Sequence, residues 1–280
     1  MGHLLERGGA LATMLVLAAC AGDPAGGIGG GSGGEPPAVE AWVDPAQSAL
    51  VLTFEDDPGV GDVLTSLVNS GTASVSVRTV TSGDGAAVGR AGYPDGGAVR
   101  LPAYSASDPG YAIVSVTNRG DGDPFSPGPD SFSFGADFSL DAESSGTDAD
   151  NGDNLLQRGL YDATGQYKIQ LDGGRPSCRV MGSAGGVSVK ASTRVVPGRW
   201  YRVWCTRRGD TVTLELGVVR TDGSVSFGSV SDDAEIGSVL LPRRTPLSVG
   251  GKLNADGTLT RSATDQFNGS VDRVFYRLLG

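Results

Sequence analysis

The sequence predicts an all-β protein in which two antiparallel sheets pack face to face. The clearest observation is strict alternation from Ser131 to Asp141, where Phe132, Phe134 and Phe138 share one face and serine, glycine and aspartate occupy the other. This period of two is typical of a half-buried strand. Glycine fills 45 of 280 positions and Asp outnumbers Glu by 25 to 7, so turn formers are abundant and helix formers are scarce.

The other strands follow from the same pattern, because no apolar period of 3.6 persists over ten residues beyond the first twenty. Alternation covers 167–171 and 212–218. Shorter strands are expected at 49–54, 74–80, 97–102, 111–117, 176–181, 186–190, 200–206, 224–230, 246–250 and 269–278. The glycine-rich parts of 56–96 leave open whether long loops lie there. With no second composition shift and no internal repeat, we expect one domain over 41–280.

Residues 1–19 are predicted to be a lipoprotein signal peptide. A mostly apolar run without charge spans 10–19, which is too short to cross a bilayer and fits the apolar region of a signal peptide. The run ends in Leu17-Ala18-Ala19-Cys20, which resembles the bacterial lipobox, so Cys20 is the predicted lipidation site. Ordinary secretion, with Cys20 as an incidental residue, is the alternative. The predicted location is extracytoplasmic, anchored to the cell membrane, or secreted if the cysteine is not lipidated.

Residues 20–40 form a Gly/Pro-rich segment that is predicted to be a disordered tether. Such a composition buries too little apolar area to offset the entropy of ordering the chain. A random coil of this length has a root-mean-square reach of about 25 Å, which is enough to lift a folded domain off lipid headgroups.

The histidine content excludes several chemistries. His3 is the one histidine of the sequence and lies in the predicted leader, so the mature chain has no imidazole for a Ser-His-Asp triad or a zinc site. The net charge is −10, and the Lys/Arg runs are no longer than pairs such as Arg207-Arg208. Nucleic acid is therefore not expected as a partner, because phosphates require a basic surface.

Cys178 and Cys205 both fall in predicted strands. An exported chain meets an oxidising environment, so a disulfide between them is the expected state. The alternative is a pair of buried free thiols. Neither cysteine neighbours a histidine or forms a CxxC motif, so a redox role has no support.

Several segments, taken in order, are similar to one known superfamily. They are the strand 50–54 with its acidic continuation 55–57, then 96–101, 154–159 leading into 167–171, Cys178-Arg179-Val180, 199–205, 246–251 and 267–274. In this order they resemble the laminin G-like members of the concanavalin A-like lectin/glucanase superfamily. The resemblance implies a jelly-roll sandwich of two curved sheets that binds through its concave face or a loop rim. The same fold carries lectins, glycosidases, lyases and spacers, so it does not fix the function.

The resemblance also implies a structural calcium ion between the first and last strands. Glu55 or Asp56 follows the first strand, and Asp272 lies in the last. Their hard oxygen ligands suit calcium. The acidic loop 141–154, with Asp148, Asp150 and Asp153, is a second candidate, although it does not match an EF-hand. Ordinary acidic loops without a metal are the alternative at both places.

Trp200, Arg202 and Trp204 are the candidate ligand-binding residues. The two tryptophans share one face of their strand, opposite Val203 and Cys205, so they point outward if the Cys205 face is the core. Exposed tryptophans can stack on sugars, and Arg202 between them can hydrogen-bond a ligand. The alternative is that the rings cover the second side of the sheet or pack under a loop.

No catalytic residue is predicted. Glycosidases of this superfamily resemble one another in carrying Glu-x-Asp-x-x-Glu on one strand, and here no two of the domain glutamates Glu55, Glu143, Glu215 and Glu235 lie within ten residues. The expected function is non-catalytic binding of carbohydrate. A structural or protein-interaction module that contacts another cell-surface protein is the main alternative, and a carboxylate-dependent glycan hydrolase is a minor one.

Overall fold

The computed structural model of the protein describes residues 43–55, 57–107, 109–146, 152–260 and 264–280. The predicted leader, the tether with Cys20, and Asp56, Asp148 and Asp150 lie outside these residues. All of the described residues fall within one unit, Pro37–Gly280. Within them, no helix has the length and apolar character needed to span a membrane.

The described residues form two antiparallel sheets of eight strands each, which confirms the predicted all-β sandwich. Sheet A has the spatial order β14 (Val225–Asp233), β13 (Thr211–Val219), β12 (Trp200–Arg208), β7 (Ser131–Leu140), β16 (Gly269–Leu279), β5 (Gly97–Arg100) and β4 (Val88–Ala91), with β1 (Leu50–Leu52) beside β16. Sheet B has the order β11 (Gly186–Lys190), β10 (Arg175–Met181), β9 (Gln166–Asp172), β8 (Asp153–Arg158), β15 (Leu247–Val249), β6 (Tyr111–Asn118), β3 (Val75–Ser82) and β2 (Ser66–Leu67). A short 3-10 helix, Pro45–Gln47, precedes β1.

Three strands were not expected from the sequence: β2, β4 and β8. β2 and β4 lie in the glycine-rich part of 56–96, which therefore contributes strands to both sheets. β8 lies inside sheet B between β9 and β15, and all six of its residues are buried. The sequence pattern did not reveal this strand, because a strand buried on both faces has no outward polar face and therefore shows no alternation of apolar and polar residues.

The core between the sheets is an aromatic cluster. The ring of Tyr167 in sheet B lies 5.2 Å from Phe132, 5.0 Å from Phe134 and 5.6 Å from Tyr276, all in sheet A. The Tyr167 hydroxyl donates a hydrogen bond to the carbonyl oxygen of Phe125 at 3.0 Å, so its polar end is satisfied. Burying each such ring stabilises the fold by roughly 2–3 kcal/mol of transfer free energy.

A disulfide joins the two sheets. Cys178 lies in β10 of sheet B and Cys205 in β12 of sheet A, with their Cα atoms 6.1 Å apart. Both cysteines are buried. The structure thus contains the disulfide that the sequence favoured, and it links the two layers across the core.

The outward face of sheet A is concave. Five strand spacings separate β13 from β4, which is about 24 Å in a flat sheet. Arg90 of β4 and Val219 of β13 nevertheless line one cavity, and Ala98 of β5 belongs to the same packed cluster as Val219. The sheet therefore curls so that its two ends approach each other, and its outward side chains lie inside a groove.

Candidate functional site

Outward side chains of sheet A are arranged in three rows that cross the strands. Each row takes one residue from each of the strands β14, β13, β12, β7 and β16, in that order. The charged row is Phe227, Gly217, Arg202, Asp137 and Asp272. The aromatic row is Ser229, Glu215, Trp204, Gly135 and Phe275, and the hydroxyl row is Ser231, Thr213, Thr206, Ser133 and Arg277. Because side chains alternate across a strand, all three rows face the groove and not the core.

The charged row forms a buried ion-pair network. Arg202 donates two parallel hydrogen bonds to Asp137, from Nε to Oδ1 at 2.7 Å and from Nη2 to Oδ2 at 2.7 Å. Arg202 is 2% exposed and Asp137 is 1% exposed. Two-point pairing of this kind satisfies both charges where water does not reach them. Arg202 was a candidate ligand contact from the sequence, but in the structure its guanidinium pairs with the carboxylate of Asp137.

Arg273 joins this network through a β-bulge. The register of β16 against β7 shifts between Asp272 and Phe275, and Arg273 has a φ of 47°. The extra residue places the guanidinium on the groove side, with Nη1 at 3.3 Å from Asp137 Oδ2 and 3.8 Å from Asp272 Oδ2. The bulge therefore supplies a second cation to a pair of neighbouring carboxylates.

Burial changes the protonation of Asp272. Desolvation raises the pKa of this carboxyl to about 7; Arg273 lowers it, and the nearby Asp137 and Glu55 raise it. Asp272 Oδ1 accepts a hydrogen bond from the backbone N–H of Arg273 at 2.6 Å. The carboxyl is thus largely protonated at mildly acidic pH, which limits the charge that the groove floor must bury.

Asp137 and Asp272 are direct cross-strand partners, a separation that can place two carboxyls near one sugar bond. Each is 1% exposed, and neither lines the two cavities described on this face. The pair therefore acts as part of the internal charge network, and we assign it no catalytic role.

The aromatic row presents Trp204 at the groove surface. Its ring lies 4.3 Å from that of Phe227, and its Nε1–H donates a hydrogen bond to Glu215 Oε2. Gly135 allows β7 to approach β12 closely at Trp204, because a Cβ there would lie 2.2 Å from the Val203 carbonyl oxygen and 2.7 Å from Trp204 Cβ. Phe227 is 38% exposed and Trp204 is half-buried, so this aromatic pair remains open to the groove.

The hydroxyl row lies beside it. Ser133 Oγ and Thr206 Oγ1 are 3.0 Å apart, and Thr213 Oγ1 and Ser231 Oγ are 2.8 Å apart. Each hydroxyl has one donor and two acceptor positions, so these bonds leave further capacity for a polar ligand. At the end of the row, Arg277 Nε is buried without a hydrogen-bond partner in the described structure.

Together these residues line an open cleft of about 470 Å³. Its lining includes Ser133, Trp204, Thr206, Thr213, Glu215 and Arg277. An aromatic wall, a carboxylate and several hydroxyls in one concavity of this size form the usual composition of a small-molecule or sugar site. The open cleft is the candidate binding site.

Trp200 is packed against other side chains, which was the alternative that the sequence left open for the two tryptophans. It is 6% exposed and packs in a small cluster with Ala98 and Val219, against which Tyr93 and Val225 also pack. This cluster brings residues of β5, β12 and β13 into contact on the outward side of the curled sheet. Of the three predicted ligand-binding residues, Trp204 lines the open cleft, and Trp200 lines the cavity that Arg90 and Val219 also line. Arg202 is buried in the charged row.

The calcium ligands predicted from the resemblance are only partly described. Glu55 Oε2 accepts a hydrogen bond from the Gly97 N–H at 2.9 Å, and Asp56 lies outside the described residues. The positive charge next to Asp272 is the Arg273 guanidinium. Within the described ranges, no group of three or more acidic, cysteine or histidine side chains is placed to hold a metal ion. The calcium site stays a prediction.

Sequence reasoning missed Glu215 and Arg277, which line the open cleft, and Phe227, which packs on the Trp204 ring beside it. In the sequence, Glu215 stood out only as one of four scattered glutamates, and Phe227 and Arg277 lay in predicted strands without a role. They meet Trp204 only through the pairing of β12, β13, β14 and β16. The same register places Ser133 of β7 beside Arg277 of β16, from opposite halves of the sequence, and no short motif records such a pairing.

The comparisons with known proteins agree with this architecture. Residues 150–277 match the model of the laminin G domain family. Over these residues the chain is therefore similar to laminin G domains. A search of curated protein sequences finds no match to the chain.

Solved structures are similar in fold to most of the chain. The binding domain of Paraclostridial Mosquitocidal Protein 1 is 15% identical with a TM-score of 0.53; the match covers 84% of this chain and 50% of that one. The binding domain of botulinum neurotoxin serotype G is 11% identical with a TM-score of 0.51, covering 83% and 48%. The chain thus spans about half the length of these two structures.

Domain 4 of an extracellular arabinanase from Geobacillus stearothermophilus, solved in complex with arabinotriose, is 12% identical with a TM-score of 0.51. The match covers 85% of this chain and 96% of that domain. At these identities the comparisons establish the jelly-roll fold of the chain, and its function has to be argued from its own residues.

Proposed function

We propose that the protein is an extracytoplasmic binding module that recognises carbohydrate in the open cleft and is anchored to the membrane through a lipid on Cys20. The observation that carries the proposal is the open cleft, where an accessible tryptophan, a carboxylate and a row of hydroxyls face one concavity.

The side chains of the open cleft suit the two chemical faces of a sugar. A sugar ring has apolar C–H faces, which pack on the Trp204 and Phe227 rings. It also carries hydroxyls, which can bond to Glu215 and to the side chains of Thr206 and Thr213. The strands beneath the cleft are tied together by the paired charges of the charged row. A site of this kind binds with little reorganisation.

The comparisons support this proposal through the fold. The arabinanase domain, which is similar to this chain over nearly all of its own length, was solved with a bound oligosaccharide. Two further structures of the same fold are binding domains by their names. A protein-interaction role at the cell surface is the competing function, and the binding experiment below separates the two.

Replacing Trp204 with alanine is expected to weaken glycan binding by about tenfold or more, because truncating a central aromatic anchor costs on the order of 2 kcal/mol. The measurement is a screen of the labelled wild-type protein on a glycan array, followed by titration of the best glycan with wild type and variant.

Tyr161→Ala is the matched control, because Tyr161 is 72% exposed and stacks on Arg179 of sheet B, away from the cleft. This variant should bind as wild type does. Equal affinities for wild type and Trp204→Ala would exclude the open cleft as the site. An array with no bound glycan would refute carbohydrate recognition and leave the protein-interaction module.

Replacing Cys20 with serine is expected to release the protein from the membrane fraction, because serine cannot receive the thioether-linked lipid that anchors a lipoprotein. Fractionation of producing cells, with immunoblotting of membrane and soluble fractions, measures the change. If the serine variant stays with the membrane as the wild type does, lipid anchoring at Cys20 is refuted.

A further inference from the structure

A second cavity lies on the same concave face and differs from the open cleft in charge. It has a volume of about 880 Å³, and its lining includes Arg90, Arg199, Arg220, Tyr93 and Trp200. None of the described residues that line it is acidic. We call it the arginine cavity.

The three arginines of this cavity are not paired with carboxylates. Arg90 Nη1 donates a hydrogen bond to Ser270 Oγ at 2.9 Å. Arg220 donates to the hydroxyl of Ser224, in the turn before β14, at 3.3 Å and to that of Ser226, in β14, at 3.0 Å. These hydroxyls are neutral. In the described part of the chain, none of the three forms an ion pair with Asp or Glu. The exposed carboxylate of Asp222 interacts with Arg220 only at longer range. Hydrogen bonds from Ser224 are the main cause that lowers the pKa of Asp222, and the Arg220 guanidinium lowers it further.

The open cleft has the same charge bias. Arg208 and Arg277 line it, and the acidic residue in its described lining, Glu215, already accepts a hydrogen bond from Trp204. Both cavities are therefore cationic in a protein whose net charge is −10. Clustering positive charge on one face of an acidic protein focuses the local potential toward anionic ligands.

The two cavities are close enough to contact one extended ligand. Trp200 lines the arginine cavity and Trp204 lines the open cleft, four residues along the same strand, which corresponds to about 13 Å. Several linked sugar rings span this distance. A guanidinium pairs with a carboxylate through two parallel hydrogen bonds, so arginines in register with a sugar chain favour one that carries carboxylates.

We propose that the ligand is an acidic polysaccharide containing uronic acid units, whose carboxylates bind in the arginine cavity while another ring of the same polysaccharide chain stacks in the open cleft. This inference rests on the proposed carbohydrate recognition and adds the class of ligand.

The test compares two polymers that differ only in charge: polygalacturonate and its carboxyl-reduced, neutral derivative. Titrations of the purified protein in the presence of a chelator should show at least about tenfold tighter binding to polygalacturonate, with an affinity that falls as salt rises. The double variant Arg199→Ala/Arg220→Ala should lose about tenfold in affinity for polygalacturonate and nothing for the neutral polymer. Both arginines are exposed, so the melting temperature should not change.

The matched control is Arg119→Ala/Arg244→Ala, which removes the same charge from exposed arginines outside both cavities. It should bind as wild type does. Equal binding of charged and neutral polymers would overturn the acidic class while leaving carbohydrate recognition in place. Binding of dextran sulfate that both double variants weaken equally would show non-specific attraction and overturn the inference. Binding of neither polymer would count against this ligand, whereas the glycan array decides the proposed function separately.

Discussion

Replacing Arg202 with methionine is expected to lower the free energy of unfolding by about 3–5 kcal/mol, the usual cost of removing one partner from a buried ion pair. Asp137 would lose both hydrogen bonds from Arg202 and keep the longer contact of 3.3 Å with Arg273. The carboxylate is 1% exposed, so water cannot replace the lost donors. Thermal or denaturant unfolding measures the change, which corresponds to a fall in melting temperature of about 10 °C.

Two further variants isolate the cause. Arg202→Met/Asp137→Leu removes both charges and should recover more than half of the loss, since a buried pair can be replaced by apolar residues at little cost. Arg208→Met changes an exposed arginine of the same strand and should alter stability by less than about 0.5 kcal/mol. A loss below about 1 kcal/mol for Arg202→Met alone would contradict the burial of this network.

Removing the disulfide is expected to cost about 3–4 kcal/mol in the double variant Cys178→Ala/Cys205→Ala, the loop-closure free energy for a span of this length. The two cysteines are 27 residues apart, and the closed loop restricts the unfolded chain. The bridge also joins sheet A to sheet B, so its loss removes a covalent link across the core. Denaturant unfolding of variant and oxidised wild type gives the difference.

Reduced wild type is the control for this variant, because it lacks the bond but keeps both sulfur atoms. It should lose nearly as much stability as the alanine variant. If oxidised and reduced wild type unfold at the same denaturant concentration, the bridge contributes nothing to stability and the prediction is wrong.

Much of the fold was predictable because the core faces of its strands are apolar. Alternation placed Phe132 and Phe134 on the inner face and Trp204 on the outer face, as the structure has them. The disulfide between Cys178 and Cys205 was expected from the positions of both cysteines in predicted strands, together with the predicted export. These inferences succeed because each depends on a few consecutive residues or on composition.

The burial of the charged row could not be predicted from alternation. Alternation places Arg202 and Asp137 on the outward face, which is correct, but an outward position in a flat sheet would be solvated. Curvature of sheet A buries them. The bulge at Arg273 could not be predicted from the sequence either, because it depends on how β16 pairs with β7. Curvature and register arise from long-range contacts that local sequence does not encode.

The strand β8 was not predicted from the sequence for a related reason. Its polar side chains Asn154, Gln157 and Arg158 are all buried. Gln157 Nε2 donates to a backbone carbonyl two residues away, whereas Arg158 pairs with Asp123, 35 positions away, and donates to the carbonyl oxygen of Thr245, 87 positions away. A polar strand can lie inside a sheet only where such partners exist, and a single sequence does not show them.

The position of the disulfide affects recognition as well as stability. Cys205 directly follows Trp204 in β12, so the covalent bond holds the backbone that presents the indole ring. A ring held in place before the ligand arrives has little motion left to lose, which reduces the entropic penalty of association. If the chain binds carbohydrate as proposed, the disulfide form is expected to bind more tightly than the thiol form of the same chain.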